Sequence, residues 1–224
     1  MRRLTLAMVL VFALAAPPAA MAGGKDRSPF AKGNRSGALL GQWWKTVLEI
    51  PASINPLTGK ADPCITLGRH VLAPAFIPDG EISCTVGKNT SILAIAFTTE
   101  CSDEEPAPFF GATPRERRAC AIALDDSVTL NQVGIDGKTY DVMRYRYQSP
   151  DQKVRLPEND LFDVDARSLR FSADGWAPLL EPLAPGHHVI TVRSAGVIPG
   201  GGPPFDDIGT LQLEVLGRGG HGHH

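Results

Sequence analysis

No G-x-S-x-G elbow and no Walker phosphate loop occurs in the 224 residues, and no G-x-G-x-x-G stands between a strand and a helix. Nucleophile-elbow hydrolases, P-loop enzymes and dinucleotide-binding oxidoreductases are set aside on that ground. Close C-x-x-C pairs are missing too. The four cysteines, Cys64, Cys84, Cys101 and Cys120, lie 20, 17 and 19 residues apart, a spacing that does not suit a zinc site. An excess of charge is absent: 22 Lys and Arg stand against 24 Asp and Glu, for a net charge of −2. A nucleic-acid binder wants a basic face to neutralise phosphates, so none is expected as a partner. After the first 22 residues no apolar run approaches the roughly 20 residues that a spanning helix needs.

What is present begins with a leader pattern. Met1-Arg2-Arg3 is a basic start, Leu4 to Ala16 is apolar, and Pro17-Pro18 is followed by Ala20-Met21-Ala22. A basic start, a short apolar region and an A-x-A end predict a signal peptide over 1–22 and export to the periplasm or the medium. Its removal takes Arg2 and Arg3 with it and moves the net charge from −2 to −4. In an oxidising compartment an even number of cysteines predicts disulfides, here two. The pairs Cys64–Cys84 and Cys101–Cys120 are favoured because each closes a loop of about 20 residues, for which chain entropy contributes roughly 3 kcal/mol.

The polar stretch 23–37 predicts a flexible lead-in. Leu40, Trp43, Trp44, Val47 and Leu48 fall at helical spacing, so a short amphipathic helix is expected over 39–49, ended by Pro51. The paired tryptophans sit on its apolar stripe and are read as core rather than as a stacking platform for a sugar. Ser91 to Thr99 is a continuous apolar run and predicts one strand buried on both faces. Thr113-Pro114-Arg115-Glu116 carries the residues of a capped helix start. That helix is expected to reach Leu124 and to bury Ala119, Cys120 and Ala123, although Asp125-Asp126 has the wrong sign for its C-terminal dipole. Beyond it the chain reads as β: 128–135, an Asp136-Gly137 hairpin turn, a strand from Tyr140 to Tyr147, and short strands at 152–156, 167–172, 177–183, 187–194 and 208–216. Further short extended pieces fit at 68–76 and 81–86. Many short strands at this spacing predict a mainly β, antiparallel sandwich or jelly-roll-like domain over 38–217, with two short helices. Residues 218–224 form a Gly/His-rich tail with no fixed geometry for a metal.

Three places carry residues suited to chemistry. The loop 100–105 is acidic. Clustered carboxylates can serve acid–base catalysis or calcium, but adjacent acids without a regular ligand spacing more often only solvate a loop. Arg144-Tyr145-Arg146-Tyr147, on an expected strand, puts both arginines on one face, where they could clamp an anion or pair with acids across strands. His187-His188 point to opposite faces of a strand start and so do not chelate one metal together. No metal and no cofactor is expected.

Five segments together carry a resemblance: Gln42-Trp43-Trp44-Lys45, Phe97-Thr98-Thr99-Glu100-Cys101-Ser102, Arg117-Arg118-Ala119-Cys120, Arg144 to Pro150, and Pro185-Gly186-His187-His188. The chain over about 38–216 resembles an uncharacterised family of exported bacterial β-rich proteins with no known activity. The resemblance implies export and a β-rich body and assigns no catalytic residue. The leading expectation is an exported binding or structural domain for an unknown ligand or cell-envelope partner, with Glu100, Arg144 and Arg146 as candidate contacts. The alternative is an extracytoplasmic hydrolase of a polysaccharide or ester, using Glu100 or Glu104 with a histidine.

Overall fold

The structure, a computed structural model, describes residues 28–31, 33, 35–198 and 202–217. The expected leader and the tail 218–224 lie outside the described residues. Helix α1 (Arg35–Leu48) begins four residues before the expected 39. Its buried stripe of Leu39, Leu40, Trp43, Trp44, Val47 and Leu48 follows the helical period. At its end the Asn55 side chain donates to the carbonyls of Val47 (2.8 Å) and Ile50 (3.0 Å), groups a helix terminus otherwise leaves open. Phe30 is buried and bridges to Leu180. The folded body therefore reaches back to at least Ser28, and of the lead-in expected over 23–37 the described residues 28–31 and 35–37 belong to it, while 23–27 lie outside the described residues.

The chain is mainly β. After α1 come β1 (Val71–Leu72), β2 (Glu81–Gly87), β3 (Ser91–Leu93), β4 (Phe97–Ser102) and helix α2 (Pro114–Asp125). Then follow β5 (Val128–Ile135), β6 (Lys138–Asp141), β7 (Arg146–Gln148), β8 (Gln152–Arg155), β9 (Ser168–Trp176), β10 (Leu179–Leu180), β11 (Gly186–Val197) and β12 (Pro204–Leu216). They form three sheets. The largest has the order β2-β12-β11-β5-β6, antiparallel except for the parallel pair β2–β12. The second is antiparallel around β9, which pairs with β4 on one side and with β7 and β8 on the other. A short strip, β1-β3-β10, completes the set.

The strip explains the long apolar run. Val71, Leu93 and Leu179 pack into a cluster with α1 and the β9 sheet, while Leu72, Ile92 and Leu180 pack into a second cluster with the five-stranded sheet. Strand alternation thus feeds two cores from one strip, and both faces must be apolar. The run is not one strand, however. It breaks at 94–96 into β3 and β4. There the amides of Ala94 and Ala96 bond to the carbonyls of Pro178 (3.0 Å) and Trp176 (2.9 Å), in the facing segment that itself passes from β9 to β10.

Helices α1 and α2 cover opposite faces of the β9 sheet. Thr98 receives the Trp44 indole N–H from α1 at 3.0 Å, whereas its neighbours Thr99 and Cys101 reach α2. Contact with α1 is close: a Cβ on Gly37 would lie 2.3 Å from the Gln148 carbonyl oxygen. On α2 the capping box forms, with Thr113 Oγ1 accepting from Glu116 N (3.2 Å) and Glu116 Oε2 from Thr113 N (2.9 Å). Its buried face is rotated from expectation. Arg117, Ala121, Leu124 and Asp125 are buried, while Ala119 and Ala123 are exposed and Cys120 is half-buried. Two polar groups with partners below the helix decide that orientation, and apolar spacing alone does not reveal them.

The disulfides are Cys64–Cys84 and Cys101–Cys120. The first ties the segment before β1 to β2; the second fastens α2 onto β4. Among the described residues no helix is long and apolar enough to cross a membrane.

Candidate functional site

A groove of about 340 Å³ opens between α1, the start of β4 and the ends of β11 and β12. Rings line much of it: Trp43, Trp44, Phe76, Phe97 and Phe205. The Phe97 and Phe205 rings stack at 5.4 Å and 20°, and Trp43 meets Trp44 edge to face at 5.2 Å. Gly209 makes room for Phe76, since a Cβ there would stand 3.0 Å from the Phe76 Cβ. Most polar side chains in the lining are satisfied from within. Trp43 Nε1 donates to the Ala73 carbonyl (3.1 Å) and Trp44 Nε1 to Thr98 Oγ1, which donates to the Asp174 carbonyl (2.6 Å). Ser194 donates to the Ala96 carbonyl (2.8 Å) and also bonds Asn131. Asp207 is the exception: its backbone pairs in the ladder with β11, but its carboxylate has no hydrogen bond or ion pair among the described residues. The tryptophans are thus core residues, as expected, and also the floor of a groove.

A second set of groups lies on the β9 sheet. On its α2 face Asp125 and Asp174 are buried together. Burial, with the neighbouring Asp174 charge, pushes Asp125 up to about 8, although the Thr99 hydroxyl donates to it at 2.6 Å. Burial raises Asp174 as well, against the pull of Arg146. Among the described residues Asp125 Oδ2 and Asp174 Oδ1 have no other hydrogen-bond partner, and a proton on Asp125 shared with Asp174 would satisfy both. Arg146 closes the cluster. It donates to Asp174 (2.5 Å), Asp126 (2.7 Å) and the Ile122 carbonyl (2.8 Å), and its guanidinium lies 4.8 Å over the Trp176 ring. On the α1 face Glu100 is buried against Glu105. Burial first, then the hydrogen bond and charge of Glu105, hold Glu100 well above the usual carboxylate range. Ser102 Oγ donates to Glu105 at 2.9 Å.

The candidate residues are therefore separated. Glu100 and Arg146 sit on opposite faces of one sheet. The strand expected over 140–147 is broken: Tyr145 N bonds the Val142 carbonyl at 2.8 Å, a turn that carries the chain from β6 in one sheet to β7 in another. Arg144 and Arg146 consequently diverge. Arg144 is exposed and bonds the Tyr145 hydroxyl at 2.9 Å. The loop 100–105 is mostly structural rather than solvated: Glu100 and Glu105 are buried, Asp103 accepts from Arg170 N at 2.7 Å, and Glu104 alone of its acids is exposed. His188 bonds Asp136 (2.8 Å) and the Ala184 carbonyl (2.9 Å), at a distance in sequence and sheet order from Glu100. Among the described residues no three His, Cys, Asp or Glu side chains are grouped to hold a metal.

Sequence reasoning missed Asp207, Asp125 and Asp174. Each left a faint signal. In β12 the positions 205, 207, 209, 211, 213 and 215 share one face, so an acid at 207 interrupts an apolar series. Asp125 opposes the helix dipole only if charged, and as a protonated acid it does not. No protein-family model matches the chain, and no curated protein or solved structure matches it.

Proposed function

We propose that the chain is an exported binding domain that takes a small, largely apolar ligand in the groove. One observation carries this reading. The groove is walled by five rings whose neighbouring polar groups, Asp207 apart, already bond one another, so an apolar molecule entering it displaces water without stranding those groups. Its size falls at the small end of ligand pockets, roughly 300–1,000 Å³. Export is supported by two disulfides, which persist in oxidising compartments. A sandwich-like arrangement is supported by the shared core between the strip and the five-stranded sheet. No observation favours the hydrolase alternative, since Glu100 faces Glu105 inside the protein and Glu104 is exposed, with no histidine partner among the described residues.

The neutral probe N-phenyl-1-naphthylamine should bind with saturable, one-to-one stoichiometry and quench tryptophan fluorescence. Phe205→Ala removes a half-buried wall and should weaken binding by roughly tenfold, the loss expected of one large apolar contact, with little change in melting temperature. Binding that is unsaturable, or unchanged in the variant, would remove the groove from consideration.

A further inference from the structure

We infer that the groove is built for a small organic cation, an alkyl- or arylammonium whose charge sits among the rings beside Asp207. This rests on the groove being the binding site. Three independent features converge. First, Asp207 stands on the groove side of β12. Its register partner is Ser194, also a lining residue, and Phe205 and Gly209 share that face. Second, the nearby cation is spent elsewhere. Arg193 lies on the other face of the same strand pair and is held by both oxygens of Asp206 at 2.7 Å. Third, the local charge is negative. Asp79 reaches the same stretch, accepting from Ile208 N at 3.3 Å. Burial, together with the Asp79 and Asp206 charges, raises the Asp207 carboxyl, which is the mark of a carboxylate lacking a counter-ion.

Ring faces are the negative side of the aromatic quadrupole and attract a weakly hydrated cation. A neutral guest would dry Asp207 without compensating it, and an anion would meet carboxylates on entry. A quaternary or alkylated ammonium answers both walls at once. It fills apolar space, lies against ring faces, and supplies the missing counter-charge.

The test compares phenyltrimethylammonium with its uncharged carbon isostere tert-butylbenzene by calorimetric titration of the full chain, with and without Asp207→Asn. The substitution keeps the shape of the side chain, and an unchanged melting curve verifies the fold. The cation should bind about tenfold tighter than the isostere, the size of a partly desolvated cation–π and ion-pair contribution, and the variant should lose that preference, the cation binding more weakly and the isostere, which no longer dries a carboxylate, at least as tightly as before. Equal or tighter binding of the isostere overturns the cation inference and leaves the groove standing as an apolar site. A cation preference that survives in Asp207→Asn also overturns it. If neither compound binds while N-phenyl-1-naphthylamine does, the cation inference alone falls; if none of the three binds, both readings fall.

Discussion

The five-stranded sheet buries Ile82 and Val86 on β2, Val133 on β5, Ile190 and Val192 on β11, and Leu211, Leu213 and Val215 on β12. The sheet around β9 buries Glu100, Ser102, Ser172 and Asp174, and takes Arg117 and Asp125 from the helix that covers it. The first is held by apolar area removed from water, a non-directional force that tolerates small shifts. The second rests on apolar packing too, with Leu169, Phe171 and Ala173 against α1, but adds buried hydrogen bonds and shared protons, which fail abruptly when one partner is lost. The groove opens where the two meet, with Val192, Phe205 and Asp207 from the large sheet and Phe97 and Thr98 from the small one.

Arg117 stands at the centre of the polar side. It is buried, bonds Asp151 at 2.8 Å and donates to the carbonyls of Gly111 (3.0 Å) and Ala112 (3.1 Å). Arg117→Ala should cost about 3–5 kcal/mol, because it empties a buried site, strips the Gly111 and Ala112 carbonyls of their donor and leaves Asp151 with Arg170 as its one charged partner among the described residues, and urea unfolding measures it. On the apolar side Leu211→Ala should cost about 2–5 kcal/mol as a cavity. The two differ in pH response: the cost of the arginine variant should shrink below the pH at which Asp151 protonates, and that of the leucine variant should not.

The buried acids also set how the stability of the chain varies with pH. Asp125 and Glu100 keep protons in the folded state at pH values where the unfolded chain has released them. The folded state then binds more protons, so stability is greatest near pH 4 and falls as pH rises toward 8. The slope is about 1.4 kcal/mol per pH unit for each retained proton. Burial disfavours the charged form of His188, but its hydrogen bonds to Asp136 and the Ala184 carbonyl and the charges of Asp136 and Glu214 together outweigh that and raise it, so it acts in the same direction: its contribution is lost as pH rises through its folded value. Asp136 and Asp151 are lowered by His188 and by Arg117 with Arg170, and their contributions disappear only as pH falls below the usual carboxylate range. Asp125→Asn keeps a donor toward Asp174 and an acceptor for Thr99, so it should flatten the slope by about one proton. A slope of the opposite sign between pH 5 and 8 would mean that the acids are charged. The smallest effect belongs to a feature outside both sheets. Thr113→Ala removes the α2 cap and should cost about 1 kcal/mol, without changing the pH slope.

Much of the apolar region was legible in the sequence. The alternation of β2, β11 and β12, the Asp136-Gly137 turn, the capping box of α2 and the two cysteine pairings all depend on short-range rules. Both strand corrections fall where the chain passes from one sheet to another, at 94–96 and at 142–145. No Gly or Pro interrupts either stretch, and alternation continues through a change of partner, so the pattern holds while the strand does not. The acid clusters were invisible for a different reason. Glu100 and Glu105 looked like a solvated loop because a carboxyl's burial depends on a proton shared with another acid. The groove draws Trp43, Phe76, Phe97 and Phe205 from four separate segments, and only folding brings them together.

The three tryptophans report on the groove and on a control position away from it. Trp43 and Trp44 line the groove, while Trp176 lies against Arg146 with its indole N–H on the Met143 carbonyl. In a ¹H–¹⁵N spectrum titrated with N-phenyl-1-naphthylamine, the indole signals of Trp43 and Trp44 should move together along one saturation curve and that of Trp176 should stay in place. Movement confined to Trp176, or three stationary signals at saturating probe, would contradict a ligand site in the groove.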